Sequence, residues 1–283
     1  MNSVLLQELA RFNSLIEVIK DSLNTLQKTL QGRLVTSTET EELQQSIVNN
    51  SIPERWRGRS YPSRKPLMSY VADLKTRLEM LETWIAKGQP PVFWISGFFF
   101  THSFLTGVKQ NFARKHGYPI DRVGFAYTVL HEAEYDMAHA AAPELGAYVH
   151  GLYLEGATWD DENGVLRESD PKVIYTPVPV IHFTPVYEAP DAANQTGSAS
   201  ASTSRQEVSS ISQIDAAGKA EAKPSKPPVQ LYACPAYKTS ARQGVLLTTG
   251  HSTNFIQLID LPTFETPSHW VKRSVALLSQ LDQ

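Results

Sequence analysis

The chain has 283 residues, of which 41% are hydrophobic and 19% are charged, and its net charge is -3 at pH 7. This length accommodates one large domain or two modest ones, each with a hydrophobic core. The acidic balance argues against nucleic acid as a partner, because nucleic-acid-binding domains are usually basic. The single cysteine, Cys234, excludes an internal disulfide and a cysteine-based metal knuckle, and it is consistent with a reducing compartment.

A long amphipathic helix is predicted at the N-terminus. Apolar residues recur at steps of three and four from Leu5 to Leu30, with Ser3 as a capping residue and Gly32 just beyond the end. Such a helix is roughly 42 Å long. Either it braces something larger or it lies across its own domain. Charge within the first two turns argues against a signal peptide or a membrane anchor, so we expect no membrane partner.

A second, short helix and a basic loop follow. Thr38 and Glu41 form a capping-box pattern at the start of the helix. The loop, Ile52–Pro66, contains three prolines and a glycine, which predict irregular structure, and its local charge is about +4. One interpretation makes the loop a contact for an acidic surface or a phosphate. The other makes it a solvated loop that is held to the core by Trp56 and Tyr61.

The pattern from residue 67 to 85 predicts another amphipathic helix, which Gly88 ends. Its apolar face consists of Leu67, Tyr70, Val71, Leu74, Leu78, Leu81 and Ile85. The charged residues Asp73, Lys75, Arg77 and Glu79 are assigned mostly to the opposite, solvent-facing side.

The stretch Pro90–Gly107 is the most aromatic part of the sequence, and the rest is organised around it. Its rings are Phe93, Trp94, Phe98, Phe99, Phe100 and Phe104. Several buried rings dominate the packing energy of their surroundings, and Gly97 allows a sharp turn among them. We interpret the stretch as a hydrophobic hinge between a helical part and a β-rich part; the alternative is an aromatic ligand cage. It is too short to span a bilayer, and a helix over Ser103–Lys115 follows.

From Val123 the hydrophobic period changes to that of β-strands. Strands are predicted at 125–129, 148–154, 178–183, 231–237, 255–261 and, with a helix as the alternative, 270–281. About six antiparallel strands indicate a small barrel or a sandwich, so the fold class is α+β, with residues 1–117 helical and 118–283 β-rich. The segment 188–230 lacks aromatic residues and is rich in Ala, Ser, Gln and Pro, which predicts a disordered loop inserted between two strands.

Two patterns resemble catalytic motifs without completing them. His131 and Glu132 begin like an HExxH zinc motif, but Tyr135 stands where the second histidine belongs, and His139 lies four residues further on. We therefore expect no metal site here.

The second pattern is Gly250–Asn254, which resembles a nucleophile elbow around Ser252. Asn254 replaces the second glycine, so a polar turn that leads into a strand is the favoured interpretation. Cys234 has no evident histidine partner and is interpreted as a core residue. The sequence predicts no catalytic, cofactor-binding or metal-binding residues, and no cofactor. A hydrolase that uses Ser252 or a metal at His131 is kept as the least favoured alternative.

Eight stretches, in order, resemble the C-terminal region of dynein heavy chains. They are LLQELARFNSLIEVI (Leu5–Ile19), WRGRSYPSRKPL (Trp56–Leu67), PVFWISGFFFTHSFL (Pro91–Leu105), AYVHGLYLEGATW (Ala147–Trp159), PKVIYTPVP (Pro171–Pro179), CPAYKTSAR (Cys234–Arg242), TTGHSTNFIQLIDLP (Thr248–Pro262) and HWVKRSVALLSQL (His269–Leu281). The resemblance covers nearly the whole sequence except 188–230. The TTGHSTNF run is similar to the axonemal members.

The resemblance implies a helical segment followed by a six-stranded antiparallel β-barrel, with the last segment a strand. It implies a non-catalytic domain that lies on the ring of AAA+ modules of the same heavy chain, with the first helix shared in part with the last module. The parent protein would bind ATP and magnesium elsewhere and would drive minus-end-directed movement on microtubules. Its place would be the cytoplasmic cytoskeleton, in the axoneme of a cilium or flagellum.

Two residues depart from the family pattern. Ser274 stands where glycine is expected, which puts a tight backbone contact in doubt, and Arg64 stands where an apolar residue is usual, which alters a docking surface. An autonomous β-barrel module that binds a peptide or a small ligand is the alternative function.

Overall fold

The computed structural model describes residues 1–131, 141–188, 228–244 and 253–282. Five helices make up most of the first 117 residues: α1 (Asn2–Leu30), α2 (Thr38–Val48), α3 (Glu54–Arg57), α4 (Leu67–Lys87) and α5 (Thr101–His116). A sixth, α6 (Pro267–Lys272), lies near the end of the sequence.

The helix ends differ in detail from those predicted. Ser3 lies inside α1, which has no side-chain cap. Ser37, not Thr38, caps α2, because its hydroxyl accepts a hydrogen bond from the amide of Thr40 at 3.3 Å. The short helix α3 forms within the loop that was predicted to be irregular. Pro53 immediately precedes α3. Proline has no amide hydrogen, and at this position the helix does not need one for its internal hydrogen bonds.

The β part contains ten of the eleven strands in the described residues, and the first strand lies in the aromatic stretch. The strands are β1 (Val92–Trp94), β2 (Val123–Val129), β3 (Ala147–His150), β4 (Tyr153–Glu155), β5 (Thr158–Asp160), β6 (Val165–Arg167), β7 (Tyr175–Pro177), β8 (Ile181–Tyr187), β9 (Gln230–Tyr237), β10 (Phe255–Thr263) and β11 (Ala276–Leu278).

These strands form two sheets. One has four strands in the order β1-β3-β8-β2, and the other has seven in the order β5-β6-β10-β9-β11-β4-β7 and is a nearly closed barrel. The α+β class and the barrel are therefore confirmed. The strand number and the pairing are corrected, because β1–β3, β6–β10 and β9–β11 pair in parallel. Hydrophobic period does not report strand direction, so the sequence could not distinguish the two kinds of pairing.

Two predicted strands are each divided in the structure. The 148–154 run breaks at Gly151, whose φ of +87° turns the backbone from β3 in the small sheet to β4 in the large one. The 270–281 run begins in α6 and continues as β11, so the helix and the strand alternatives each describe part of it. Residues 189–227, most of the predicted disordered loop, lie outside the described residues.

The aromatic stretch lies where the helices meet the small sheet. β1 pairs in parallel with β3, while Phe98 and Phe104 stack with ring centroids 4.6 Å apart. One hydrophobic cluster includes residues of both parts of the molecule, from Phe12 to Trp270. The prediction of a hydrophobic hinge agrees with this packing. The domain division at 117/118 stays a prediction.

Gly97 is required for a reason other than the predicted one. It lies in a 3-10 turn, Ile95–Gly97, with φ outside the left-handed region. A Cβ atom at this position would lie 2.6 Å from the Met80 sulfur and 2.7 Å from the Trp94 ring. Lack of space, not backbone conformation, therefore favours glycine here.

Candidate functional site

The incomplete zinc motif contributes one described residue, His131. Its Nδ1 lies 3.5 Å from Oδ1 of Asp161, and both side chains are exposed. Glu132, Tyr135 and His139 lie outside the described residues. Within the part of the sequence that the structure describes, no group of three or more side chains is arranged to hold a metal ion.

The elbow-like motif is described only at its end, since Ser252 is among the residues left undescribed. Asn254 is buried, and its side-chain oxygen accepts a hydrogen bond from the amide of Thr239 at 3.0 Å. Its Nδ2 donates to Oγ1 of Thr239 at 2.9 Å. Asn254 therefore ties the start of β10 to the loop after β9. Cys234 is fully buried in β9, and burial raises the pKa of its thiol.

The most distinctive polar feature is a pair of buried charges that hold the hinge triplet, Phe98–Phe100. From α1, the carboxylate of Glu8 is fully buried and accepts hydrogen bonds from the amides of Phe99 and Phe100, the latter at 3.1 Å. Burial raises the pKa of Glu8, and the two amides and the guanidinium of Arg11 offset part of that effect. Glu8 thus attaches α1 to the hinge.

From α4, Arg77 binds a backbone carbonyl of the same triplet, whereas Glu8 binds backbone amides. Its guanidinium donates to the carbonyl of Phe98 at 3.4 Å and, through Nε, to the carboxylate of Asp73 at 2.6 Å. The guanidinium also lies 3.8 Å from the centroid of the Tyr61 ring. Arg77 is fully buried, so each of these contacts is shielded from water.

Asp73 is the centre of this network. It accepts hydrogen bonds from Tyr61 Oη at 2.9 Å and from Lys65 Nζ at 3.0 Å, as well as from Arg77. Burial opposes ionisation of Asp73, but Arg77 and Lys65 outweigh it and hold the pKa below its ordinary value. The network connects the basic loop, α4 and the hinge.

The sequence pattern assigned Asp73 and Arg77 to solvent, and the structure places both in the core. In contrast, Val71 and Ile85 of the predicted apolar face are 41% and 59% exposed. A signal was present, because residues four apart with opposite charge commonly pair on a helix. The pattern does not tell whether such a pair is exposed or buried.

The basic loop combines buried rings with exposed charges. Trp56 and Tyr61 are both buried, and the Trp56 indole donates to the Ser22 hydroxyl at 2.8 Å. This agrees with a loop anchored to the core. Arg55 pairs with Glu39 at 3.3 Å on the exposed surface. A contact between this loop and an acidic surface or a phosphate stays a prediction.

Arg64, one of the two departures from the family pattern, connects the basic loop to the last described residues. Its guanidinium donates to the hydroxyl of Ser240 at 3.2 Å, and that hydroxyl donates to Asp282 at 2.6 Å. Arg64 is half exposed, with 53% of its side chain accessible, so this link stabilises the fold only slightly.

Ser274, the other departure, occupies a backbone conformation that favours glycine. Its φ is +56°, in the turn between α6 and β11. The left-handed backbone that glycine would adopt easily is therefore present, and serine adopts it. Arg242 donates to the carbonyl of Ser274 at 2.7 Å and also pairs with Glu155.

Among the described residues, the surface features open to a partner include exposed leucines on α1 and a groove beside the hinge. On α1, Leu6, Leu23 and Leu30 are 67%, 39% and 67% exposed. Beside the hinge, an open groove of about 590 Å³ is lined by Trp84, Trp94, Pro90, Pro91 and His150, among others. None of the helices in the described residues combines the length and the apolar character needed to cross a membrane.

The fold and the polar network together define an α+β domain whose buried charges hold α1 and α4 to the aromatic hinge. The protein belongs to the family of C-terminal domains of dynein heavy chains, and the family pattern matches residues 1–204 and 198–279. It is 45% identical to mouse dynein axonemal heavy chain 3, 43% to human dynein axonemal heavy chain 12 and 42% to human dynein axonemal heavy chain 1. Each match covers 100% of this sequence but only 6%, 8% and 6% of the respective relative.

Proposed function

We propose that this domain packs on the ring of AAA+ modules of an axonemal dynein heavy chain. There it tunes how ATP turnover drives minus-end-directed movement along microtubules. The observation that carries the proposal is similarity over the whole sequence to heavy chains named as axonemal dyneins. In this proposal the domain is not itself an enzyme, and ATP and magnesium bind elsewhere in the parent motor. The parent works in the axoneme of a cilium or flagellum.

The polar network supports a structural rather than a catalytic role for the charged core. Glu8, Asp73 and Arg77 form hydrogen bonds with backbone groups of the hinge and with other side chains of the fold. A rigid helical surface is what a docking domain requires, because mobile contacts lose entropy on binding.

The test compares the parent motor with a variant that lacks residues 1–283. We expect deletion to change the microtubule-stimulated ATPase rate and the gliding velocity. Adding the separate domain to the deleted motor is expected to restore them, with co-purification of the two. Unchanged ATPase and velocity after deletion would contradict the proposal.

A second candidate function is an autonomous module that binds a peptide or a small ligand. The groove beside the hinge favours it, since aromatic and proline side chains line an open cleft of ligand-sized volume. The two candidates differ in one measurement: a separate domain that stays monomeric and does not bind the deleted motor would favour the module.

A further inference from the structure

The groove beside the hinge is lined by three parts of the fold. The second half of α4, between Thr76 and Lys87, contributes most of its lining side chains. The turn that contains Pro90 and Pro91 leads from α4 to β1, whose Trp94 also lines the groove, and His150 at the end of β3 completes it. Its volume of about 590 Å³ is within the range of ligand-binding clefts.

The two tryptophans of the groove carry hydrogen-bond donors that the fold does not use. Within the described residues, neither the Trp84 nor the Trp94 indole N–H donates a hydrogen bond, whereas those of Trp56 and Trp270 do. Trp94 is half-buried and packs closely on the backbone, since a Cβ atom on Gly151 would lie 2.5 Å from its ring. Indole N–H groups usually find a partner on burial, so Trp94 favours a ligand that accepts hydrogen bonds.

The charged side chains that line the groove are Glu79 and Lys87, both exposed on α4. They are eight residues apart, a distance of about 12 Å along the helix axis. Neither forms an ion pair in the part of the sequence that the structure describes. His150 adds no charge at neutral pH, because burial lowers the pKa of its imidazole. A ligand that follows α4 therefore meets a negative group, an apolar centre and a positive group.

We propose that the groove binds a proline-rich segment of another polypeptide in the polyproline II conformation, with a basic residue beside Glu79. This conformation has no internal hydrogen bonds, so its carbonyl groups are free to accept from the Trp94 indole. Its prolyl rings dock on aromatic side chains, and its preformed shape reduces the entropy lost on binding. At about 3.1 Å per residue, about four residues cover the distance between Glu79 and Lys87.

An added β-strand fits this place less well. β1 lies at the edge of the small sheet, but it has only three residues. Pro90 and Pro91, just before it, have no amide hydrogens with which to pair an incoming strand. The inference rests on the second candidate function, to which it adds the class of peptide, and it does not depend on packing against the ring.

The first experiment titrates the intact parent motor into two fluorescently labelled synthetic peptides with blocked ends. One is Arg-Pro-Pro-Pro-Pro-Asp, and the other has alanine in place of every proline. We expect saturable binding of the proline peptide and about tenfold weaker binding of the alanine peptide, because the alanine peptide must be ordered when it binds. No saturable binding, or equal affinity for the two peptides, would overturn the proposal.

The second experiment tests the groove residues with the same proline peptide. Trp94→Phe keeps an aromatic ring but removes the N–H donor, and we expect about tenfold weaker binding. Glu79→Lys is expected to weaken binding about fivefold, and a peptide with Glu in place of Arg should bind this variant better than it binds wild type.

The matched control is Glu17→Lys, which makes the same change of charge at an exposed residue of α1 outside the groove. We expect it to change the affinity by less than about twofold. Equal losses for Glu79→Lys and Glu17→Lys would overturn the proposal, because they would reflect the net charge of the domain alone.

The outcomes separate this inference from the functions proposed above. If both peptides bind equally and both depend on Glu79, the groove binds peptides without selecting the proline conformation. The inference then fails and the second candidate function stands. If neither peptide binds, the inference fails together with the peptide-binding form of that function. Packing on the ring is decided separately, by the effect of the deletion on the ATPase rate.

Discussion

Ser274 shows how a single residue stores strain. Its left-handed backbone, φ +56°, disfavours every residue with a Cβ atom, and its contact with Arg242 uses the backbone carbonyl, which glycine also has. We expect Ser274→Gly to raise the free energy of unfolding by about 1 kcal/mol. Urea unfolding at neutral pH measures this change.

Ser268 is the matched control for that substitution, because it lies in α6, where helical backbone suits serine. We expect Ser268→Gly to lower the free energy of unfolding by about 0.5–1 kcal/mol. If Ser274→Gly also destabilised the domain, the backbone strain would be smaller than the flexibility that glycine adds to the unfolded state.

The titration of Glu8 makes its contribution to the free energy of unfolding decrease as pH rises. Its folded-state pKa is raised above the ordinary value of 4.5, so the carboxyl group is easier to protonate in the folded protein than in the unfolded chain. Its contribution to stability is full below pH 4.5 and is lost as pH rises through the folded-state pKa. We therefore expect the difference in unfolding free energy between wild type and Glu8→Gln to shift against wild type as pH increases.

Urea titrations of both proteins from pH 4.5 upward measure that difference. The Gln variant cannot titrate at this position, so it removes the contribution of residue 8 alone. A difference that shifts in favour of wild type with rising pH would show that the two hinge amides stabilise the carboxylate more than burial destabilises it.

At the scale of elements, α4 is held by an internal ion pair. Replacing Arg77 with Met keeps the volume of the side chain but leaves Asp73 buried with a weaker set of partners and the Phe98 carbonyl without its donor. We expect the free energy of unfolding to fall by about 3–5 kcal/mol. Thermal and urea unfolding measure the loss.

Lys75→Met is the control on the same helix, since Lys75 is exposed two residues from Arg77. We expect a change within about 0.5 kcal/mol. Similar losses in the two variants would mean that α4 responds to loss of any positive charge rather than to the loss of the buried pair.

The helices were the most predictable elements. The three- and four-residue steps of α1 and the glycine after α4 predicted both helices closely, because they follow from backbone period and conformation. The buried side of α4 was less predictable. Asp73 and Arg77 are buried because Tyr61 and the Phe98 carbonyl, distant in sequence, supply partners that the helix itself does not contain.

At the scale of the whole molecule, the segment 188–230 separates β8, in the small sheet, from β9, in the barrel. From its composition we expect it to add little to stability, because it contains too little apolar surface to offset the entropy of ordering. Replacing residues 191–226 with a short Gly-Ser linker should leave the melting temperature nearly unchanged, since loop entropy varies slowly with length. A large fall, measured by calorimetry, would show that the segment is structural.

The sequence alone determined the α+β class, the helical part, five of the strand positions and the family. Periodicity and local motifs depend only on residues that are close together in the sequence. The tertiary structure decided strand pairing, the division of the 148–154 run and the burial of Glu8, Asp73 and Arg77. These features depend on contacts between residues that are far apart in the sequence. The geometry of such contacts cannot be predicted from local sequence patterns.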